Sequence, residues 1–123
     1  QYDVFVLQDV LEHVLDPVGL MVGLKKIARH GSIFFCSFPC KDSRPARAYK
    51  GKWAMVRPYG HLHYFSFDSA KKMFSLVGLT VNDMRLERVT AISTMFLSLN
   101  IRGLLYEILK GSRDQIYTQV IVR

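Results

Sequence analysis

The sequence predicts an α/β fold in which a partial, Rossmann-like parallel sheet is flanked by helices, and three consecutive segments indicate this. Residues 4–7 form a continuous apolar run, Val-Phe-Val-Leu, which is typical of a parallel strand covered on both faces. Residues 17–28 place apolar side chains at helical spacing, and residues 32–38 form a second apolar run. Strand, helix and strand at this spacing predict a right-handed βαβ unit with parallel strands.

The helix of this unit is predicted to begin at Pro17 with Asp16 as its N-cap, because both residue types favour those positions. Arg29 and His30 would lie in its last turn, where positive charge is favourable, and Gly31 would end it. The apolar face of the helix consists of Pro17, Leu20, Met21, Leu24, Ile27 and Ala28.

The sequence after the second strand begins with a long loop without periodicity, from Cys40 to Tyr59. Its basic residues alternate with aromatic ones, and a long basic loop at the ligand edge of a sheet indicates a functional role. Ser66 is a suitable N-cap for a helix that would end at Gly78. The remaining predicted elements are a strand at 79–89, a helix at 94–110, a turn at 111–114 and a last strand at 115–122.

Polar residues follow the first strand directly, where the carboxyl end of a parallel strand opens towards a ligand. They belong to a series of motifs: Tyr2-Asp3-Val4, Leu11-Glu12-His13, Asp16-Pro17, Ser37-Phe38-Pro39 and His61-Leu62-His63-Tyr64-Phe65-Ser66. In this order the motifs resemble those of the class I S-adenosylmethionine-dependent methyltransferases. They are most similar to the small-molecule branch that includes the ubiquinone-biosynthesis O-methyltransferases. The resemblance covers about residues 2–90 and returns in the last strand.

This resemblance implies a last strand that runs antiparallel between the second and third strands of the chain. It also implies S-adenosylmethionine as cofactor, bound by an acidic residue and a Gly-x-Gly-x-Gly turn upstream of the first strand. No Gly-x-Gly occurs in the 123 residues. We therefore expect residues 1–123 to be the C-terminal part of a single methyltransferase domain without its N-terminal cofactor-binding half. The first strand would then pair with that half or with a partner chain.

The composition is that of a basic globular chain. Lys and Arg number 17 against 10 acidic residues, and the net charge of +7 suits anionic substrates, nucleic acid or an acidic membrane surface. Cys36 and Cys40 have neither zinc nor redox spacing, so reduced thiols and a cytoplasmic location are expected. No apolar run approaches the roughly 18 residues of a membrane-spanning helix.

Two histidines, His13 and His61, are candidate general bases for methyl transfer. The resemblance places His13 at the rim of the active site, and His61 would face it from the segment before the second helix. A histidine titrates near neutral pH and can take a proton from an acceptor. The alternative for His13 is a structural histidine that fixes the strand-to-helix turn by hydrogen bonding.

The resemblance also implies a divalent metal site at the same turn. The ubiquinone-branch enzymes and the small-RNA 2′-O-methyltransferases bind a metal at an acidic-x-x-Glu-His sequence. Here Asp9, Glu12 and His13 reproduce that sequence, and His61 would be a further ligand. Carboxylate and imidazole donors suit Mg²⁺, Mn²⁺ or Zn²⁺. The alternative is that Glu12 caps or pairs locally.

Further residues are assigned to the cofactor and to the acceptor. Leu7, Gln8 and Asp9 end the first strand, where the resemblance puts the methionine part of the cofactor. Arg44 can bind phosphate or carboxylate, whereas Trp53 can stack on a ring or anchor the loop to the core. The residues assigned to the acceptor are Pro39, Arg44, Trp53 and His63.

These features together predict a methyltransferase that acts on a small-molecule acceptor by O- or C-methylation, with this chain inactive by itself. One alternative is a degenerate, non-catalytic methyltransferase module that acts in binding or assembly. The other is an RNA methyltransferase, which the net charge and the basic loop favour.

Overall fold

The computed structural model describes residues 1–88 and 113–122. The predicted helix at 94–110 and the residues Gly111 and Ser112 lie outside this part of the chain. The described elements, in chain order, are β1 (Tyr2–Gln8), α1 (Pro17–Ile27), β2 (Ala28–Pro39), α2 (Arg44–Tyr49), a 3-10 turn (Lys50–Lys52), α3 (Phe67–Leu76), β3 (Leu79–Arg88) and β4 (Arg113–Val122).

The four strands form one mixed sheet in the order β1-β2-β4-β3. Strands β1 and β2 are parallel, and β4 is antiparallel to both of its neighbours. The predicted α/β class and the position of the last strand are therefore confirmed. Because β1 and β2 are parallel, their carboxyl ends open at the same edge of the sheet, where the polar turn after β1 lies.

Helix α1 begins as predicted, since the Asp16 carboxylate accepts a hydrogen bond from the Gly19 amide at 2.8 Å. Its predicted end is wrong, because Arg29 and His30 are strand residues rather than the last helical turn. Ala28 already has extended φ and ψ angles and pairs with Tyr2.

The residues after Ala28 form a bulge at the start of β2. The parallel register shifts between the pairs Tyr2–Ala28 and Val4–Ile33, and Gly31 adopts a φ of +82° within the shifted stretch. The Ser32 hydroxyl stabilises the bulge, because it donates to the Tyr2 carbonyl at 2.7 Å and accepts from the Arg29 amide at 2.8 Å. Gly31 thus permits a strand bulge and does not end the helix.

The stretch from Cys40 to Tyr59, predicted as a loop, contains the short helix α2. Ser43 caps it through a hydrogen bond from the Ala46 amide, and Pro45 lies in its first turn. Six residues are too few to show an apolar periodicity, so the helix was missed in the sequence. Pro45 and Ala46 are buried, and this fixes the helix against the rest of the molecule.

Helix α3 begins with a reciprocal capping box between Ser66 and Ser69, each side chain bonding the other residue's amide. It ends at Leu76 with Val77 as its C-cap, and Gly78, which follows, has a φ of +67°. The Lys25 ammonium group donates to the carbonyls of Val77 at 2.8 Å and Gly78 at 3.1 Å. This contact joins α1 to the negative end of the α3 dipole.

Both long helices contribute to a core on one face of the sheet. Phe34 is fully buried there and stacks on Phe5 with ring centroids 4.3 Å apart. The buried core comprises Leu7, Leu11, Met21, Phe34, Cys36, Phe38, Cys40, Phe65, Ala70, Met73, Phe74, Val77, Leu79, Ile116, Val120 and Val122. Burial raises the pKa of the Cys36 thiol to about 12, and Cys40 is buried in the same core.

The opposite face of the sheet is bare at β1 and β2 in the described part of the chain. Val4 and Val6 are 55% and 70% exposed, and Phe35, which pairs with Val6, is 45% exposed. The prediction that β1 is covered on both faces is therefore wrong for the described residues. The apolar run is compatible with a strand that is covered on both faces, but helices α1 and α3 lie on the same face of the sheet.

Candidate functional site

The turn after β1 is held in a strained conformation at the carboxyl edge of the sheet. Asp9 has a φ of +51°, which is uncommon for a residue with a Cβ atom. Its amide donates to the Ser37 carbonyl at 3.0 Å, and its carboxylate accepts a hydrogen bond from the Gln115 amide group at 2.9 Å. The bonds to β2 and β4 thus fix the start of the polar turn.

The segment that carries His61 is attached directly to this turn by backbone hydrogen bonds. The amides of Leu62 and His63 donate to the Glu12 carbonyl at 2.7 Å and 3.2 Å. The His61 amide donates to the Arg57 carbonyl at 2.8 Å. Two segments about 48 residues apart in the sequence therefore form one corner of the molecule.

His13 and His61 face each other at this corner, as the sequence predicts. Their ring centroids are 4.8 Å apart and the rings are nearly perpendicular, at 78°. The His13 Nδ1 atom lies 2.7 Å from the Gly60 carbonyl oxygen, which can only accept, so Nδ1 carries the proton. The Nε2 atom of neutral His13 is then a free acceptor, and half of the His13 side chain is exposed.

Glu12 is buried beside the histidines, with 1% of its surface exposed. Neither carboxylate oxygen has a hydrogen-bond partner within the described residues, and Oε1 lies 3.9 Å from His13 Nε2. Burial raises the pKa of Glu12 most strongly, the backbone amide of Glu12 lowers it by less, and the negative charge of Asp9 raises it further, with His13 lowering it least. A buried carboxylate without partners requires an explanation, and functional sites are where such groups concentrate.

His61 is also buried, and its Nδ1 atom has no hydrogen-bond partner in the described part of the structure. Burial lowers the pKa of His61, and the neighbouring His13 lowers it further. His61 is therefore neutral at pH 7, and a neutral imidazole can accept a proton or bind a metal.

The ligand atoms of Glu12, His13 and His61 all lie within 4.8 Å of one another. Ligand atoms held at about 2.1 Å from one ion in a tetrahedral site lie about 3.4 Å apart, so these side chains would have to close by about 1 to 1.5 Å. The carboxylate oxygens of Glu12, the Nε2 of His13 and the Nδ1 of His61 are suitable donor types. These three residues are the group in the described part of the chain that could hold a divalent cation.

Asp9, the fourth predicted metal ligand, is not part of that group in the structure. Its Oδ1 atom accepts from Gln115, which is itself buried and whose own amide oxygen has no partner among the described residues. Gln115 was missed in the sequence, because its contact with Asp9 depends on the register of two strands far apart in the chain. No local signal at the start of the last strand indicates it.

The residues assigned to the acceptor differ in accessibility. Arg44 is exposed on α2, whereas Pro39 is buried at the end of β2. Trp53 is 5% exposed and anchors the loop, with its indole N–H lacking a described partner. His63 is half-buried and its Nε2 lies 2.9 Å from the Val14 carbonyl, so it donates there and fixes the turn.

The residues assigned to the cofactor lie at the end of β1. Leu7 is buried in the core, whereas Gln8 and Asp9 are exposed at the carboxyl edge. Gln8 also lines a shallow depression on the bare face of the sheet together with Val6 and Ser37. Gln8 and Asp9 thus present polar groups at the carboxyl edge of the sheet.

Comparison with known proteins supports the family assignment. A family model described as a methyltransferase domain matches residues 1–83, which is more than half of the chain. A search of curated proteins finds no match.

Several solved structures share the fold. A methyltransferase from Haloferax volcanii, solved in complex with the Trm112 methyltransferase activator, superposes with a TM-score of 0.68 at 15% identity over 99% of this chain and 54% of its own. A Methanosarcina mazei enzyme superposes with a TM-score of 0.63 at 10% identity, over 98% of this chain and 59% of its own. A Thermotoga maritima enzyme superposes with a TM-score of 0.63 at 12% identity, over 98% of this chain and 56% of its own.

This chain therefore spans little more than half the length of these three structures. At such low identities the superpositions show the fold alone. The fold and the family model agree with each other and with the motifs after β1. The chain belongs to the methyltransferase-domain family and has the fold of the S-adenosylmethionine-dependent enzymes.

Proposed function

We propose that the protein takes part in methyl transfer from S-adenosylmethionine to an oxygen or carbon of a small molecule, with His13 as general base. The observation that carries this proposal is the pair of facing histidines at the carboxyl edge of the sheet. S-Adenosylmethionine supplies the methyl group. The chain orients the acceptor at this edge and receives the proton that the acceptor loses.

The geometry suits His13 to that role. Its Nδ1–H is bound to the Gly60 carbonyl, which orients the ring and leaves Nε2 to accept a proton. The ring is partly exposed, so an acceptor can reach it. Glu12 lies close enough to stabilise the imidazolium ion that forms, and His61 limits the free rotation of the ring from the other side.

As an alternative use of the same atoms, we propose that Glu12, His13 and His61 bind a divalent cation. The ion would then occupy the Nε2 lone pair of His13, and His13 would not be the base. The cation would neutralise the buried carboxylate and, as a Lewis acid, favour ionisation of a bound acceptor hydroxyl. The test is thermal unfolding of the chain with and without Mn²⁺. The melting temperature should rise with Mn²⁺ for the natural sequence and for Lys71→Ala, but not for Glu12→Gln or His61→Ala. No rise for the natural sequence would refute the metal site.

Among the described strands, β1 lies at the edge of the sheet and one sheet face is bare, and both features support the proposal that further polypeptide completes the domain. This would be an N-terminal cofactor-binding half or a partner chain that pairs with β1. Val4, Val6 and Phe35 form an apolar surface for it. A structural neighbour was solved together with a methyltransferase activator, which makes a partner chain a reasonable candidate. An intact mass above 14.2 kDa for the cellular protein would support a covalently linked half.

Catalysis is tested on the full-length product of the gene that encodes this chain. S-Adenosylmethionine binding is measured by calorimetry, and methyl transfer is measured with a tritiated cofactor and a small-molecule extract of the source cells. His13→Ala should retain cofactor binding and lose transfer by about 10²- to 10⁴-fold. Retained transfer in that variant would exclude His13 as the base. Absence of cofactor binding by the natural protein would instead support a non-catalytic module.

A further inference from the structure

The positive charge of the chain is concentrated in one segment beside the site, residues 41–59, which we call the basic segment. It holds six basic residues and one acidic residue, so its net charge is +5. The other 104 residues together carry +2 of the total of +7. This short segment therefore dominates the electrostatic field on its side of the molecule.

No ion pair within the described residues neutralises this charge. All six basic side chains of the segment are exposed: Lys41, Arg44, Arg47, Lys50, Lys52 and Arg57. The ion pairs between permanently charged side chains in residues 1–88 and 113–122 are Arg29–Asp3 and Arg85–Asp83. Neither involves the basic segment, so in this part of the chain its cations face solvent and can meet an external anion.

Aromatic rings are interleaved with these cations. Tyr49 is 55% exposed and Tyr59 is fully exposed, whereas the ring of Trp53 is buried and anchors the segment. In α2, Arg44 and Arg47 are three residues apart and share a helix face, while Pro45 and Ala46 are buried. The cations and the tyrosines are thus presented to solvent by a segment that is itself fixed to the core.

The basic segment leads directly into the histidine corner. The Arg57 carbonyl accepts from the amides of Gly60 and His61, each at 2.8 Å. The Gly60 carbonyl in turn accepts from His13 Nδ1 at 2.7 Å. A polymer bound along the segment would therefore pass next to His13 and His61.

We propose that the basic segment is a binding surface for single-stranded RNA. Exposed cations neutralise phosphates, and exposed tyrosine rings stack on unpaired bases, which together are the elements of single-strand recognition. A membrane surface fits less well, because the largest apolar side chain of the segment, Trp53, is buried and cannot insert. The inference goes beyond the proposed function, since binding does not require that the RNA be methylated.

The charge contribution is tested by fluorescence anisotropy with a fluorescein-labelled 12-nucleotide oligouridylate and the 123-residue chain. Arg44→Glu/Arg47→Glu should weaken binding at least tenfold and reduce the slope of log K against log salt by roughly 1.4. Lys71→Glu/Lys72→Glu, which makes the same charge change at exposed positions on α3, should change affinity less than twofold. Equal losses in the two variants, with unchanged circular dichroism, would overturn the proposal.

The stacking contribution is tested separately. Tyr49→Ala/Tyr59→Ala should weaken oligouridylate binding about fivefold or more, whereas Tyr49→Phe/Tyr59→Phe, which keeps both rings, should bind as the natural chain does. A duplex RNA of the same length should bind more weakly than the single strand, because its bases are already stacked. Equal binding of the duplex would overturn the proposal. So would tighter binding to phosphatidylserine-containing vesicles than to the RNA.

Discussion

Phe34 in the apolar core and Glu12 at the histidine corner are buried to the same degree but in opposite chemical surroundings. Phe34 is completely buried and belongs to the apolar core cluster. Glu12 is 1% exposed, yet neither of its carboxylate oxygens has a hydrogen-bond partner among the described residues. Burial of Phe34 stabilises the fold, whereas burial of a carboxylate without hydrogen bonds opposes it. This difference is the observation behind the cation proposed for the corner.

Phe34→Ala tests the core side of this comparison, and of the substitutions considered it should change the free energy of unfolding most. It should lower the free energy of unfolding by about 3 to 5 kcal/mol, because the cavity left in the core cannot collapse fully. The matched control is Phe35→Ala, the next residue along β2, whose ring is half-exposed on the bare face. Urea unfolding of both variants measures the difference. Equal losses would show that the two faces of the sheet are covered alike.

Glu12→Gln tests the histidine corner. This substitution should raise the free energy of unfolding, whereas Phe34→Ala lowers it. The native pKa of Glu12 is raised above the ordinary value of 4.5, so the fold loses stability as the pH rises from 4.5 through the native pKa. The variant should therefore be more stable at pH 8, by about 1 to 3 kcal/mol, and the gain should vanish at pH 4. Urea unfolding at the two pH values, in the presence of EDTA, measures it. A loss of stability at pH 8 would mean that Glu12 has a stabilising partner.

Lys25→Met sharpens the comparison with a polar group that does have partners. The Lys25 ammonium group bonds two carbonyls at the end of α3, so its removal should cost about 1 to 2 kcal/mol. Lys26→Met removes the adjacent exposed ammonium group and should change the free energy of unfolding by less than about 0.5 kcal/mol. Thermal unfolding compares the two variants. Equal effects would assign the loss to net charge instead of to the helix contact.

Val6→Thr completes the comparison with an apolar side chain that is exposed. Because Val6 is 70% exposed, its side chain contributes little to the stability of the fold. The substitution should therefore change the free energy of unfolding by less than about 0.5 kcal/mol. Its larger effect should be on self-association, because it reduces the apolar surface of the bare face. Sedimentation velocity at increasing concentration measures this. A loss above 2 kcal/mol would mean that other residues cover Val6 in solution.

The sequence predicts the helix caps and the proximity of His13 and His61 through local patterns, whereas the roles of the two histidines stay predictions. Asp16 and Ser66 cap the helices as expected, and the motifs around His13 and His61 are recognisable without a structure. The contact between Gln115 and Asp9 could not be predicted, since these residues are 106 positions apart and meet only because β4 pairs with β2. It was also not possible to predict which faces of the sheet are covered. A continuous apolar run indicates a strand, but it does not show which helices pack against that strand.

Two independent features of the turn limit which residue types can replace Asp9. Its φ of +51° is tolerated by glycine, asparagine and aspartate far more readily than by other residues. Its bond from the Gln115 amide group requires a side-chain oxygen, which excludes glycine. Asparagine is thus the neutral replacement that satisfies both the backbone and the hydrogen bond. An asparagine variant would keep the turn while removing its charge, which separates the shape of this corner from its electrostatics in a single substitution.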